Sequence, residues 1–438
     1  FSICILTFAL VMVVAGRFQD LKGPRVPAII GAILMGAGFL IAALLNNAIV
    51  FYIAHAVFAG FVCLVALMLF HALFGHLDPE RRVMARYGPI AIATTVIVAA
   101  VLLGNQYVGR LESLDRLFVL WGTIGFIVGA GIGFAYVCPI AALVKWFPRQ
   151  KGLVSGVAVA GFGFGAYLFS REFGALGFIR EFGIVPFFVV HGLVCLTVVT
   201  MGALLLQNPP SAAAGAASST PTSESTWQQT LRQPAFYALW LMFFSGAMAG
   251  LMVIGIIKVF AGEQLVGAAE AAGALASSDR AALMLKGAAA VGWLAIFNAV
   301  GRVAWGSISD RIGRTMTFVA MFSLQAITLF ALAGMETQLS LAIAASLVGF
   351  NFGGNFALFP SATADLFGSG NLGANYGWVF TSYGIAGVVG IMAGNAAKAM
   401  TGSYAAAFSL AAVLCLVSAA LALIIERLPQ RGPRPVAG

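Results

Sequence analysis

Residues 26–45, VPAIIGAILMGAGFLIAALL, carry no charge and are long enough to cross the hydrocarbon core of a bilayer. Comparable apolar runs recur at 1–16, 26–46, 50–75, 88–104, 118–144, 152–170, 184–206, 234–260, 287–308, 316–334, 338–360, 372–397 and 404–426. The spacing predicts an all-α membrane protein of about thirteen transmembrane helices. With 61% hydrophobic and 9% charged residues, no soluble globular class fits. The net charge of +9 comes from basic residues dispersed among the loops, which argues against a nucleic-acid partner and for contact with a lipid bilayer. Cys4, Cys63, Cys138, Cys195 and Cys415 sit inside apolar runs without ligand spacing, so neither a disulfide nor a metal site is expected. No Ser/His/Asp, Cys/His or metal constellation appears, and neither an enzyme nor a cofactor is implied.

Between two such runs lies GRFQDLKGPR (16–25), which returns in degenerate form as GSISDRIGRT (306–315). In register, Gly16, Asp20 and Gly23 fall on Gly306, Asp310 and Gly313. One unit used twice in a membrane chain marks a transporter whose repeats rock about a central site. Glycine suits the tight turn and Asp can cap a helix start or pair with Arg. The basic residues Arg17, Arg25, Arg311 and Arg314 suit the cytoplasmic leaflet.

The segment 207–233 is rich in Pro, Ser, Thr and Ala and reads as a flexible linker. It divides an N-terminal bundle (1–206) from a C-terminal bundle (234–428), with a tail at 429–438. Placing the 17–25 loop inside and alternating sides thereafter puts fifteen basic residues inside and eight outside, with Arg302 within a helix. The linker and C-terminus are then cytoplasmic, in a bacterial-type inner membrane. Phe1 opens inside an apolar run, so one further helix is expected upstream.

Arg302 precedes Asp310 by eight positions, about 12 Å along a helix, and so lies inside the membrane. Insertion scales set that cost at about 2.5–3.5 kcal/mol, making an intramembrane Arg a functional candidate. Asn298, Arg302, Trp305 and Ser309 form one polar stripe, and a guanidinium offers bidentate donors to a carboxylate. No Asp or Glu sits convincingly in mid-membrane, which favours exchange or facilitated diffusion over proton symport. Aligning Pro139 with Pro360 brings 133–147 alongside 353–367 and makes Tyr136 and Asn355 candidate polar contacts near the depth of Arg302. His191 can carry a proton, though core packing suits it better. Gly152, Gly156, Gly161, Gly165, Gly390 and Gly394 have spacings for close helix packing.

The stretches at 131–166, 297–314, 351–367 (NFGGNFALFPSATADLF) and 373–384 (GANYGWVFTSYG) resemble the oxalate/formate antiporter family of the major facilitator superfamily, relatives of the monocarboxylate transporters. The resemblance implies a two-bundle fold of twelve helices, with this chain starting in the second, and carriage of a small organic anion, a monocarboxylate or short dicarboxylate. It assigns Arg302 as the anion anchor and the two repeated loops as latches. Where proton-coupled relatives have Asp four residues before the Arg, this chain has Asn298. Where oxalate carriers have a lysine in a YTAKG-like stretch, FTSYG has Tyr383. Residues of about 49–117 have no counterpart and read as an inserted hairpin, its helices at 50–75 and 88–104 carrying His55 and His71. That hairpin is either a lipid-facing embellishment or a surface for a membrane-protein partner or self-association, and the alternative function is an accessory subunit docked through it.

Overall fold

The computed structural model describes residues 1–44, 117–169, 174–210, 224–273 and 279–428, and every regular element among them is helical. The first half comprises α1 (Ser2–Lys22), α2 (Arg25–Leu44), α3 (Leu117–Trp146), α4 (Lys151–Phe169), the short α5 (Ala175–Phe182) and α6 (Ile184–Leu205). The second half comprises α7 (Pro234–Ala271), the short α8 (Asp279–Lys286), α9 (Ala289–Ile312), α10 (Arg314–Leu332), α11 (Gln338–Phe367), α12 (Leu372–Thr401) and α13 (Ala405–Ile424). Among the described residues, 10 helices are long and apolar enough to cross a membrane. The two apolar runs of the expected hairpin, 50–75 and 88–104, lie outside the described residues.

Both repeated loops turn at a glycine of positive φ, Gly23 at 81° and Gly313 at 87°, a conformation that a side chain disfavours. α3 opens with wide turns over Trp121–Val128 and carries Pro139 inside its regular part, while its repeat partner α11 carries Pro360. The halves meet along two equivalent seams, α1 against α12 and α4 against α9. A Cβ on Gly16 would collide with the Gly373 carbonyl oxygen, and one on Gly306 would collide with that of Gly152. Backbone therefore meets backbone at the same place in each seam, at the end of the molecule where the repeated loops lie, hereafter the motif end.

Two sequence expectations change. Gly152 and Gly156 pack closely on α9 as expected, but Gly161 and Gly165 have nothing within 4 Å of where a β-carbon would sit, and both line an apolar cavity of about 570 Å³ between α2, α3, α4 and α6. The linker is not featureless up to residue 233. Thr226 and Gln229 form a reciprocal capping box that starts a helical turn at Trp227–Thr230. Ser225 N–H donates to the Phe367 carbonyl, Thr230 Oγ1 donates to Asn375 Oδ1 at 3.1 Å, and Trp227 stacks on Trp378. The T-x-x-Q signal is present in the sequence, but its partners are more than a hundred residues away.

Gly16→Val inserts a branched side chain where two backbones touch, at a cost of about 1–3 kcal/mol for overpacking. The expected outcome is a membrane-inserted protein of lower thermal stability whose motif end no longer closes, read as increased labelling of a cysteine placed at Ala374.

Candidate functional site

At the motif end each half caps a helix of the other. The Asp20 carboxylate accepts from the N–H groups of Gly373 (3.1 Å) and Ala374 (2.7 Å) in the first turn of α12. The Asp310 carboxylate accepts from Gly152 (2.9 Å) and Leu153 (2.8 Å) in the first turn of α4. A carboxylate on the positive end of a helix is favourable, and it fills donors that have no partner within the helix. The capping expected of these aspartates thus acts between halves.

The two caps are unequal. Arg314 donates through Nη1 to Asp310 (2.9 Å) and through Nε to Asp365 (2.9 Å), and also contacts Ser309. Lys151 donates to the other Asp365 oxygen at 2.8 Å, extending the network across the seam. In the first half Pro24 occupies the register of Arg314, and Val144 that of Asp365. Arg25 instead donates to the Leu206 carbonyl at 2.7 Å. Arg17 and Arg311 are solvent-exposed.

Farther from the motif end, the predicted stripe of α9 is buried as a unit: Asn298, Arg302, Trp305 and Ser309 are all less than one-tenth exposed. Arg302, 3% exposed, donates through Nε to Asn298 Oδ1 at 3.1 Å. Its guanidinium carbon lies 4.2 Å from the Phe356 ring centroid and 5.8 Å from that of Phe162. Such cation–π contacts offset part of the desolvation of the charge. Nη1 finds no hydrogen-bond partner, and no carboxylate is paired with this guanidinium among the described residues.

Tyrosines stand where a counter-ion would be. Tyr136 of α3 and Tyr376 and Tyr383 of α12 lie within electrostatic reach of Arg302. Tyr136 packs against Phe8, Phe162 and Phe380, and Tyr383 against Phe356 and Phe380, so the wall is aromatic. The structure therefore brings together Arg302, Asn298, Tyr136 and Tyr383. It does not bring Asn355 to them, because that amide faces Gly246 of α7 and donates to the carbonyls of Asn351 and Phe352 at 3.3 Å. Tyr376 is absent from the residues expected at the site. Its spacing of seven from Tyr383, which puts both on one helix face, is the signal that points to it. His191 is ringed by Phe39, Phe169 and Phe187 and lines the apolar cavity between α2, α3, α4 and α6.

Residues 276–438 match the Major Facilitator Superfamily. Over 344 residues the chain is 30% identical to the oxalate:formate antiporter of Oxalobacter formigenes, an alignment covering 77% of this chain and 75% of that one. The chain belongs to the major facilitator superfamily. This superfamily member is also 29% identical over 309 residues to the MFS-type transporter YhjX of Escherichia coli (strain K12), covering 70% and 71% of the two chains. It is 28% identical over 346 residues to apicoplast pyruvate carrier 1 of Toxoplasma gondii, covering 66% and 61%. In fold it is similar to the Escherichia coli fucose:proton symporter FucP, with a TM-score of 0.54, 13% identity and 97% of each chain covered. It is a transporter, and the paired aspartate caps lie in its two repeated loops.

Asp310→Asn removes the ion pair with Arg314 and one of two charged acceptors, whereas Asp20→Asn removes only the latter. Thermal unfolding in detergent is expected to show Asp310→Asn destabilised by about 1.5–3 kcal/mol, the worth of hydrogen bonds to a charged group, and Asp20→Asn by less.

Proposed function

We propose that this transporter carries a small organic anion across the membrane by alternating access, through exchange or facilitated diffusion, with Arg302 as the anion anchor. The observation that carries the reading is a buried guanidinium with an unfilled donor, aromatic walls and no carboxylate partner among the described residues. A lone buried charge is costly, and a bound anion supplies the missing counter-charge. Similarity to proteins named for oxalate:formate exchange and for pyruvate carriage supports a carboxylate as that anion. Asn298 orients the guanidinium, and Tyr136 and Tyr383 offer hydroxyls in a site with one cation among the described residues. A monoanion is neutralised there, while a dianion keeps an uncompensated charge in a low-dielectric cavity.

The two bundles, 1–206 and 234–428, would rock about this site, with the repeated loops as latches at the motif end. The lysine and arginine bias supports placing that end, the linker and the C-terminus in the cytoplasm of a bacterial-type inner membrane.

Counterflow in proteoliposomes with formate, lactate, pyruvate and oxalate tests the reading. Arg302→Lys keeps the charge but loses the planar fork, so a folded protein with exchange reduced at least about tenfold is expected. Normal exchange by that variant overturns the anchor assignment. Tyr383→Lys introduces a second cation and is expected to shift competition toward oxalate, and an unchanged ranking in an active variant removes Tyr383 from the site.

A further inference from the structure

Tyr376 is fully buried, and its hydroxyl completes no hydrogen bond. It is the fifth residue of α12, about 6 Å along the helix from the motif end, while Tyr383 lies two turns deeper, about 16 Å along. The Arg302 carbonyl packs on Gly156 of α4, which is the repeat counterpart of Gly377, the residue after Tyr376. Tyr376 therefore lies at about the depth of Arg302, in the wall of the site.

Its hydroxyl lies close to that of Tyr136, which comes from the other half of the chain, and Tyr136 in turn lies close to the Arg302 guanidinium, in each pair without full hydrogen-bond geometry. Tyr136 Oη also lacks a hydrogen-bond partner, as does Arg302 Nη1. Three unfilled polar groups, two hydroxyls and one guanidinium nitrogen, thus converge from α3, α9 and α12 in an aromatic enclosure. Leaving buried donors unfilled costs about 1–3 kcal/mol each, so the cluster is poised for an occupant that accepts from all three. A carboxylate does so, its two oxygens offering about four lone-pair sites.

The position of Tyr376 ties it to the seam. Gly377, the next residue, packs on the Met12 backbone of α1, and Gly373, one turn earlier, packs on Gly16 and donates to Asp20. Separating α12 from α1 at the motif end would carry Tyr376 away from Tyr136, because the tyrosine rides on the clamped turn.

We infer that Tyr376 is a specificity-determining residue in the wall of the site. With Tyr136 it donates to the carboxylate held by Arg302, so that a monocarboxylate is bound by both halves at once and held tightly only while the motif end is shut. This rests on the anion-carrier reading and adds to it a residue, a head-group requirement and a direction of coupling. A ligand shifts a conformational equilibrium only through differential affinity, and a cross-half hydroxyl pair provides that difference. An anion without two oxygens to share, such as chloride, gains less from the arrangement.

The test uses the full chain in proteoliposomes, with pyruvate and chloride as probes. Tyr376→Phe keeps the ring and removes the hydroxyl. Its KM for pyruvate exchange is expected to rise about tenfold, the effect of one lost hydrogen bond to a charged group, with chloride competition unchanged. Pyruvate is expected to protect Ala374→Cys from a permeant maleimide in the parent background and to fail to do so when combined with Tyr376→Phe. Tyr136→Phe probes the other side of the same contact should the first variant not fold. Unaltered pyruvate affinity and protection in both tyrosine variants, alongside loss of exchange in Arg302→Lys, overturns this inference and leaves the carrier reading standing. Normal pyruvate exchange in Arg302→Lys overturns both.

Discussion

Everything at the motif end depends on two carboxylates that each cap a helix belonging to the other half of the chain. Asp20 reaches the first turn of α12 and Asp310 the first turn of α4, and each meets backbone N–H groups that have no acceptor within their own helix. Such a contact exists only when the seam is closed. The closure is further limited to glycine at the crossing points, since Gly16 meets Gly373 and Gly306 meets Gly152 with no space for a β-carbon. Hydrogen bonding, helix polarity and close packing thus depend on the same few ångströms of separation. An opening of the seam would lose all three together.

Arg302 in the interior follows a different logic. Arg302 is buried against Phe356 and Phe162 and oriented by Asn298, but its charge is left without an anionic partner among the described residues. A permanently paired arginine would be more stable and would have less to offer a substrate. The surrounding tyrosines supply polarity without charge, which under the proposed function would let one anion fill the site and leave it again. The cap and the arginine share α9, which carries both Arg302 and Asp310, and Gly156 packs on the Arg302 carbonyl in the same seam that Gly152 closes.

The asymmetry between the halves refines the repeat. The second cap has an ion network running from Asp310 through Arg314 and Asp365 to Lys151, whereas the first relies on the helix cap, with Pro24 and Val144 at the corresponding registers. Such a network adds strength through charge-assisted hydrogen bonds, so the α4–α9 seam carries the larger electrostatic share of closure.

The helical class, the repeated loop, the turn glycines and the buried stripe of α9 were all legible in the residues themselves, because each is set by local periodicity or by the cost of placing a charge in hydrocarbon. The capping chemistry of the aspartates was legible too, though not the helices they cap. That the caps cross between halves, that Asn355 faces α7 and not Arg302, that Gly161 and Gly165 border a cavity, and that Tyr376 joins Tyr136 beside Arg302 emerged only from the folded molecule. These are contacts between residues tens to hundreds of positions apart, fixed by how whole helices rotate and slide against one another. A side chain's spacing gives its face on a helix, but the neighbouring helix decides what that face meets.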